Sequence, residues 1–128
     1  ETEVVLPLLE SDAYDVFYGI ATGQLSTVNC QLSWRNEATI GVVLASKGYP
    51  GSYAKGAVIE GTELFDGPIF HMGTKNDNGV LKTNGGRVMM CIATGKDITT
   101  AREKVYKEIE KIHCDNLFYR KDIAHWAL

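Results

Sequence analysis

Apolar residues near the start of the chain recur every three to four positions, which is the spacing of one helix face. The first short stripe comprises Val4, Val5, Leu8 and Leu9. A second stripe comprises Tyr14, Phe17, Tyr18 and Ala21. Ser11 and Asp12 precede the second stripe and are suited to cap a helix, and Gly23 is suited to end it. Two short N-terminal helices are therefore predicted.

The pattern then changes to alternation, which is typical of half-buried strands. The alternating apolar positions are Val28, Cys30, Leu32 and Trp34. The run from Ala38 to Ala45 is apolar at nearly every position and predicts a central strand. Three further strands are predicted at Pro68–Thr74, Val80–Thr83 and Arg87–Thr94. The dipeptide Asn78-Gly79 and the tripeptide Asn84-Gly85-Gly86 separate them and favour hairpin turns, so a β-meander is expected.

Helical periodicity returns after Asp97 and predicts one amphipathic helix that packs on the sheet. Its apolar stripe comprises Ile98, Ala101, Val105, Ile109 and Ile112. Thr100 and Glu103 have the spacing of a capping box. The segment from Phe118 to Ile123 has no clear pattern. The predicted fold class is α+β: a small antiparallel sheet, a meander with hairpins, packed against an amphipathic C-terminal helix, with two short N-terminal helices.

Length and composition favour a single soluble globular domain. The chain has 128 residues, of which 45% are hydrophobic and 23% charged, with 13 glycines and 3 prolines. A net charge of −3 argues against sequence-independent nucleic-acid binding, which needs a basic face. No apolar run approaches the roughly 18 residues of a membrane span. The chain begins at Glu1, inside a predicted helix, so we expect it to be a piece of a longer polypeptide.

The three cysteines indicate neither a disulfide framework nor a zinc site. Cys30, Cys91 and Cys114 are an odd number and show no C-x-x-C spacing. A reducing, cytoplasmic setting is the expectation. The carboxylates have no spacing that would pair two of them with a histidine, and the glycines form neither a Walker loop nor a dinucleotide fingerprint. No catalytic or metal-ligating residue is therefore predicted, and binding is the expected role.

Three short segments could bind a ligand. The loop Lys47-Gly48-Tyr49-Pro50-Gly51 offers a cation, an aromatic ring and backbone amides, as a phosphate or sugar requires. The segment Thr83-Asn84-Gly85-Gly86-Arg87 adds a turn and an arginine suited to bidentate phosphate binding. The segment His71-Met72-Gly73-Thr74-Lys75 offers a candidate acid–base histidine. The alternatives are a plain long turn, a hairpin with a solvated arginine, and a strand histidine with a satisfied hydrogen bond.

These segments resemble the C-terminal part of the phosphoribosylamine–glycine ligase family, also called glycinamide ribonucleotide synthetases. Five stretches carry the resemblance over nearly the whole chain: Glu1 to Leu9, Ala45 to Gly56, Phe70 to Thr74, Thr83 to Val88, and Phe118 to Ile123. The opening stretch also resembles the second half of the family's R-[LF]-G-D-P-E signature. The sequence departs from the family pattern at Met72, where alanine is usual, and at Ala124-His125-Trp126.

The resemblance implies a function for the parent protein and a role for this chain. The family uses ATP to join glycine to 5-phosphoribosylamine, through a glycyl phosphate, in purine biosynthesis. The resemblance implies that residues 1–24 comprise the end of the ATP-grasp region and connecting helices. It also implies that residues 25–128 form the C-terminal domain, of the rudiment single hybrid motif type. ATP and Mg would be bound by upstream ATP-grasp domains, which are the expected partners, and this fragment alone is expected to be inactive.

The resemblance also implies that the C-terminal domain helps to form the site for 5-phosphoribosylamine. In related ATP-grasp purine enzymes, a lysine after a histidine-bearing strand and a Gly-Arg arginine hold the substrate phosphate, which implies this role for Lys75 and Arg87. The expected substrate-binding set is Lys47, Gly48, Tyr49, Pro50, Gly51, His71, Thr74, Lys75, Asn84, Gly85, Gly86 and Arg87. Two alternatives stay open: a non-catalytic module that binds a phosphorylated metabolite, and a purely structural domain that covers an ATP-grasp cleft.

Overall fold

The computed structural model describes residues 1–24 and 32–127. Its helices are α1 (Thr2–Val5), α2 (Ala13–Ala21) and α3 (Ile98–Ile109), and its strands are β1 (Ala38–Ser46), β2 (Ile69–His71), β3 (Thr74–Asp77), β4 (Val80–Thr83), β5 (Arg87–Gly95) and β6 (Leu117–Phe118). Short 3₁₀ turns lie at Leu6–Leu8, Thr62–Leu64 and His125–Ala127. The α+β class is confirmed. Val28 and Cys30 of the predicted early strand lie outside the described residues.

The main sheet has four strands in the order β2-β5-β1-β6, and all of its pairs are antiparallel. The long strands β1 and β5 pair from Ala38 opposite Gly95 to Ala45 opposite Arg87, with a bulge after Leu44. The predicted central strand is confirmed, because β1 lies between β5 and β6. This order is not the expected simple meander, since β2 pairs with β5 across the intervening β3–β4 hairpin.

The core lies between the main sheet and α3. Ile40, Val42 and Leu44 alternate on one face of β1, as residues spaced by two on a strand must. They join Cys91 and Ala93 of β5 in one cluster with the helix residues Ala101, Val105 and Ile109. The expected amphipathic C-terminal helix is therefore confirmed. Its capping residue is Asp97, whose carboxylate accepts a hydrogen bond from the Thr100 amide at 2.7 Å, and not Thr100 as the capping-box spacing suggested.

The hairpin β3–β4 forms a separate two-stranded sheet. Its turn is the predicted Asn78-Gly79, where both residues adopt positive φ values, 54° and 87°, as a type I′ turn requires. The second predicted hairpin, at Asn84-Gly85-Gly86, is wrong. These residues connect β4 to β5, which belong to different sheets and do not pair with each other. The connection passes over the backbone at Gly73, to which the Asn84 amide donates a hydrogen bond.

Helix α2 begins where expected, but it buries other residues than those of the predicted stripe. The Asp12 carboxylate caps it by accepting hydrogen bonds from the amides of Tyr14 and Asp15. Its buried residues are Val16 and Gly19. The predicted apolar stripe is exposed instead, with Tyr14 70% and Phe17 and Tyr18 each 54% accessible. Periodicity identified an apolar face correctly, but the described residues do not cover it.

The C-terminal segment, which the sequence pattern left unassigned, runs along α3. Arg102 Nε donates to the Ile123 carbonyl at 2.9 Å, and Arg102 Nη2 donates to the Lys121 carbonyl at 2.8 Å. The Tyr106 hydroxyl donates to the Arg120 carbonyl at 2.7 Å. Across residues 1–24 and 32–127, no helix combines the length and the apolar character needed to cross a membrane.

Candidate functional site

The three candidate segments meet where the chain crosses itself at one end of the main sheet. The Asn84 amide donates to the Gly73 carbonyl at 2.8 Å, and the Gly73 amide donates to the Val88 carbonyl at 2.9 Å. Ser46, at the end of β1, donates from its amide to the Gly86 carbonyl at 2.8 Å. The segments around residues 47, 73 and 85 are therefore joined by backbone hydrogen bonds, although they are far apart in the sequence.

Glycine is required at this crossing because two backbones and one ring come into close contact there. A Cβ atom at Gly73 would lie 2.8 Å from the Gly85 Cα, a distance that side chains do not tolerate. At Gly86 an added Cβ would overlap the Tyr49 ring. Tyr49, which precedes Pro50 through a cis peptide bond, thus lies directly on the Gly86 backbone. Tyr53 packs edge-on to Tyr49, with ring centroids 6.3 Å apart.

Two backbone amides of the turn have no acceptor among the described residues, with Gly85 half-buried and Gly86 buried. In the part of the chain that the structure describes, the amides of Gly85 and Gly86 donate to no acceptor. Adjacent free amides in a turn form a concave site that suits an anion. The Ser46 hydroxyl donates to the Gly85 carbonyl at 2.8 Å, which fixes the orientation of this peptide group.

The charged side chains of the candidate set surround this crossing and are exposed. Lys47, Lys75 and Arg87 form no salt bridge with any residue in the described ranges. The pKa of Glu3 is lowered chiefly by a hydrogen bond from its own backbone amide, and the nearby Arg87 guanidinium lowers it further. Arg87 therefore has the Glu3 carboxylate as an electrostatic neighbour, although it forms no salt bridge within the described ranges.

Lys75 lies opposite Lys82 in the β3–β4 hairpin. Like charges directly opposite one another destabilise a strand pair. Asp77 relieves this repulsion, because its carboxylate lies 2.8 Å from the Lys82 ammonium. The two lysines therefore differ in their partners: Lys82 forms an ion pair with Asp77, whereas Lys75 is exposed to solvent.

His71 and Thr74 interact across the turn between β2 and β3. Their Nδ1 and Oγ1 atoms lie 3.0 Å apart. This contact orients the imidazole ring and leaves its Nε2 atom available. Both residues belong to the predicted set, and no sequence pattern indicates that they contact each other.

Most of the candidate residues are exposed in this chain, while Thr74 and Gly85 are half-buried and Gly86 is buried. Four clefts on the described surface, with volumes of about 340 to 490 Å³, are lined by other residues. Sequence reasoning also missed two residues that shape the surface, Ser46 and Asn116. Ser46 is fully buried, and Asn116 bonds to the loop that begins at Lys47. No local pattern marks either residue, because their partners lie 39 and 62 positions away in the sequence.

The described cysteines show no feature of a reactive site. Cys91 is fully buried in β5, and this burial raises the pKa of its thiol to about 12. Cys114 is a free, half-buried thiol. Within residues 1–24 and 32–127, no three His, Cys, Asp or Glu side chains are grouped so that they could hold a metal ion.

Comparison with known proteins agrees with the resemblance seen in the sequence. The family model described as "Phosphoribosylglycinamide synthetase, C domain" matches residues 39–126. A phosphoribosylamine–glycine ligase of Halalkalibacterium halodurans is 45% identical over 130 residues, which cover all of this chain and 29% of that protein. A bifunctional purine biosynthetic protein of Schizosaccharomyces pombe is 41% identical over 130 residues, which cover all of this chain and 16% of that protein.

The fold has a solved counterpart as well. The crystal structure of a phosphoribosylamine–glycine ligase from Thermotoga maritima matches with a TM-score of 0.76 and 35% sequence identity, over 96% of this chain and 30% of that one. The chain thus spans less than a third of the length of these relatives. By its sequence and its fold, the chain belongs to the phosphoribosylglycinamide synthetase C-domain family.

Proposed function

We propose that this chain is the C-terminal domain of an ATP-dependent phosphoribosylamine–glycine ligase of purine biosynthesis, and that it helps to bind 5-phosphoribosylamine. The family match over residues 39–126 supports the first part. The second part rests on one observation above all: the segments that carry Lys47, His71 and Arg87 converge on the turn at Gly85-Gly86. In this proposal the turn and the cations around it bind the phosphate of the sugar amine.

Each component has a separate part in binding. The free amides of Gly85 and Gly86 supply neutral donors, and Arg87 supplies a planar fork for two phosphate oxygens. Lys75 adds a cation without a partner in the hairpin, and Lys47 contributes another from the facing loop. Tyr49 covers Gly86 and excludes water from one side of the turn. His71 serves to hydrogen-bond the substrate, with its ring oriented by Thr74.

The described residues contain no group of three or more His, Cys, Asp or Glu side chains that could hold a metal ion. The resemblance to ATP-grasp ligases supports a site for ATP and Mg elsewhere in the parent protein. We therefore assign ATP and Mg to upstream ATP-grasp domains and no step of their chemistry to this chain. The isolated chain should hydrolyse no ATP, and turnover by the purified chain above background would contradict this assignment.

Residues 1–24 have a different role in this proposal from residues 25–128. We assign 1–24 to the end of the ATP-grasp region and 25–128 to the C-terminal domain; the family match over residues 39–126 lies within the second range. The exposed face of α2, with Tyr14, Phe17 and Tyr18, supports a contact with the upstream ATP-grasp domains, because an apolar face of this kind marks an interaction site. The cysteine pattern supports a cytoplasmic location.

The exposure of most candidate residues favours a second possibility, a purely structural domain that covers an ATP-grasp cleft. Titration of this chain with ribose 5-phosphate separates the two, because only a phosphate site binds it. The ligase assignment itself is tested with the full-length polypeptide: ATP, glycine and phosphoribosylamine should yield glycinamide ribonucleotide. Absence of this product from a folded full-length protein would contradict the assignment.

A further inference from the structure

We propose that Asn116 is a positioning residue for the substrate loop, and that the C-terminal segment after it acts as a brace. The substrate loop is residues 47–54, which begin at Lys47 and include Tyr49. This inference rests on the proposed function, because it concerns how the proposed phosphate site is held in shape. It assigns a role to the segment from Phe118 to Ile123, which neither the sequence pattern nor the proposed site explains.

Asn116 bonds to both ends of the substrate loop. Its backbone carbonyl accepts a hydrogen bond from the Lys47 amide at 2.9 Å. Its side-chain Nδ2 donates to the Ala54 carbonyl, also at 2.9 Å. One residue therefore closes the loop at its base, and only the second of these bonds depends on the side chain. Removal of that side chain frees the Ala54 end and leaves the Lys47 end attached.

Asn116 is itself fixed from two sides. The next two residues form β6, which pairs with Ala45 and Ser46 at the end of β1. Beyond β6, Arg102 and Tyr106 of the core helix α3 bond the carbonyls of Arg120, Lys121 and Ile123. A rigid element of the core thus determines where Asn116 lies, and Asn116 determines where the substrate loop closes.

Just beyond the loop, the Gly56 amide donates to the Thr83 carbonyl at 2.6 Å, and within the loop the contacts are fewer. The Tyr49 amide donates to the Ser46 carbonyl at 3.0 Å within the first turn of the loop. The Tyr49 ring lies against Gly86. Because a loop of exposed residues has little burial to order it, loss of the bond at Ala54 should increase its local opening. Lys47 and Tyr49 would then spend less time in place for the phosphate, which weakens substrate binding without altering the bond-forming step.

The test uses Asn116→Ala and Asn116→Asp in the full-length polypeptide. Aspartate keeps the size of asparagine, lacks the donor and places a charged oxygen towards the Ala54 carbonyl. The matched control is Asn36→Ala, an exposed asparagine near the opposite end of β1. Hydrogen exchange in peptides spanning 47–56 should become about 10-fold faster in both Asn116 variants, with exchange in β5 unchanged. The KM for phosphoribosylamine should rise about 5- to 20-fold, with kcat and the KM values for ATP and glycine within about twofold of wild type.

Unchanged loop exchange overturns the inference, and so does faster exchange with an unchanged phosphoribosylamine KM. Equal changes in all kinetic constants would also overturn it, because they indicate general destabilisation instead of positioning. Lys75→Ala in the same assay shows whether a negative result rejects only the role of Asn116 or also the proposed phosphate site. If Lys75→Ala raises the phosphoribosylamine KM while the Asn116 variants do not, the proposed phosphate site is supported and the positioning role of Asn116 is rejected. If no variant changes this KM, the proposed site itself is wrong.

Discussion

Replacement of Gly86 by alanine tests whether contact between Tyr49 and the Gly85-Gly86 turn shapes a substrate site. The added Cβ would lie 2.7 Å from Tyr49 Cε2 and 3.2 Å from Cγ, and nearer still to Cδ2. Carbon atoms in normal contact are about 3.5–4.0 Å apart, so the ring must shift by more than about 1 Å. Overpacking of this kind costs about 1–3 kcal/mol, and the value should be at the low end because Tyr49 lies in an exposed loop that can move.

The functional effect of Gly86→Ala should exceed its effect on stability. Displacement of a substrate-positioning group by about 1 Å costs up to roughly 100-fold in rate, so we expect kcat/KM for phosphoribosylamine to fall about 10- to 100-fold. Urea unfolding of the chain and steady-state kinetics of the full-length protein measure the two effects. Gly79→Ala is the matched control, because its positive φ of 87° costs a similar ~1 kcal/mol while no atom lies near its added Cβ. Equal kinetic losses in both variants, or none in Gly86→Ala, would refute the reasoning.

Two further predictions concern the core. Cys91→Ala should reduce the free energy of unfolding by about 1 kcal/mol in urea and leave the turnover number intact, since the thiol is buried and protonated; a hundredfold loss of turnover would contradict it. Glu108 has a lowered pKa because its carboxylate accepts hydrogen bonds from Lys111 and from the Asp66 amide. The contribution of ionised Glu108 to the free energy of unfolding is therefore complete above about pH 4.3, the pKa of an unfolded glutamate. It is lost as the pH falls through the lower pKa that Glu108 has in the folded protein. The difference in urea stability between wild type and Glu108→Gln should shrink below about pH 4, and a constant difference would contradict this.

Local patterns were sufficient for the elements with strong periodicity. The apolar run of β1, the stripe of α3 and the Asn78-Gly79 turn each depend on neighbouring residues, and all three are confirmed. The strand order was not predictable in the same way, because the β2–β5 pair joins segments separated by the whole β3–β4 hairpin. Glu108 is buried on α3, where periodicity gave no reason to place a charge, because Lys111 and the Asp66 amide satisfy its carboxylate.

The candidate site was predictable as residue types and not as an arrangement. Glycine-rich turns with nearby lysine or arginine mark possible anion sites wherever they occur. Their convergence depends on hydrogen bonds between distant backbones, such as that from Asn84 to Gly73. The same reason explains why Ser46 and Asn116 were missed: each is an ordinary polar residue in sequence, and its partners become visible only in the fold.

The central claim, that this surface binds the phosphate of the sugar amine, is tested most directly by Arg87→Ala in the full-length protein, with each substrate varied in turn. Loss of a charge-assisted hydrogen bond to the substrate phosphate should cost roughly 1.5–3 kcal/mol, or about 10- to 150-fold in kcat/KM for phosphoribosylamine. The KM values for ATP and glycine should change little. Arg87→Lys should recover only part of the loss, because lysine lacks the planar fork, and Arg35→Ala, an exposed arginine near the start of β1, should have no effect. Equal losses for all three substrates, or no loss for phosphoribosylamine, would contradict the account.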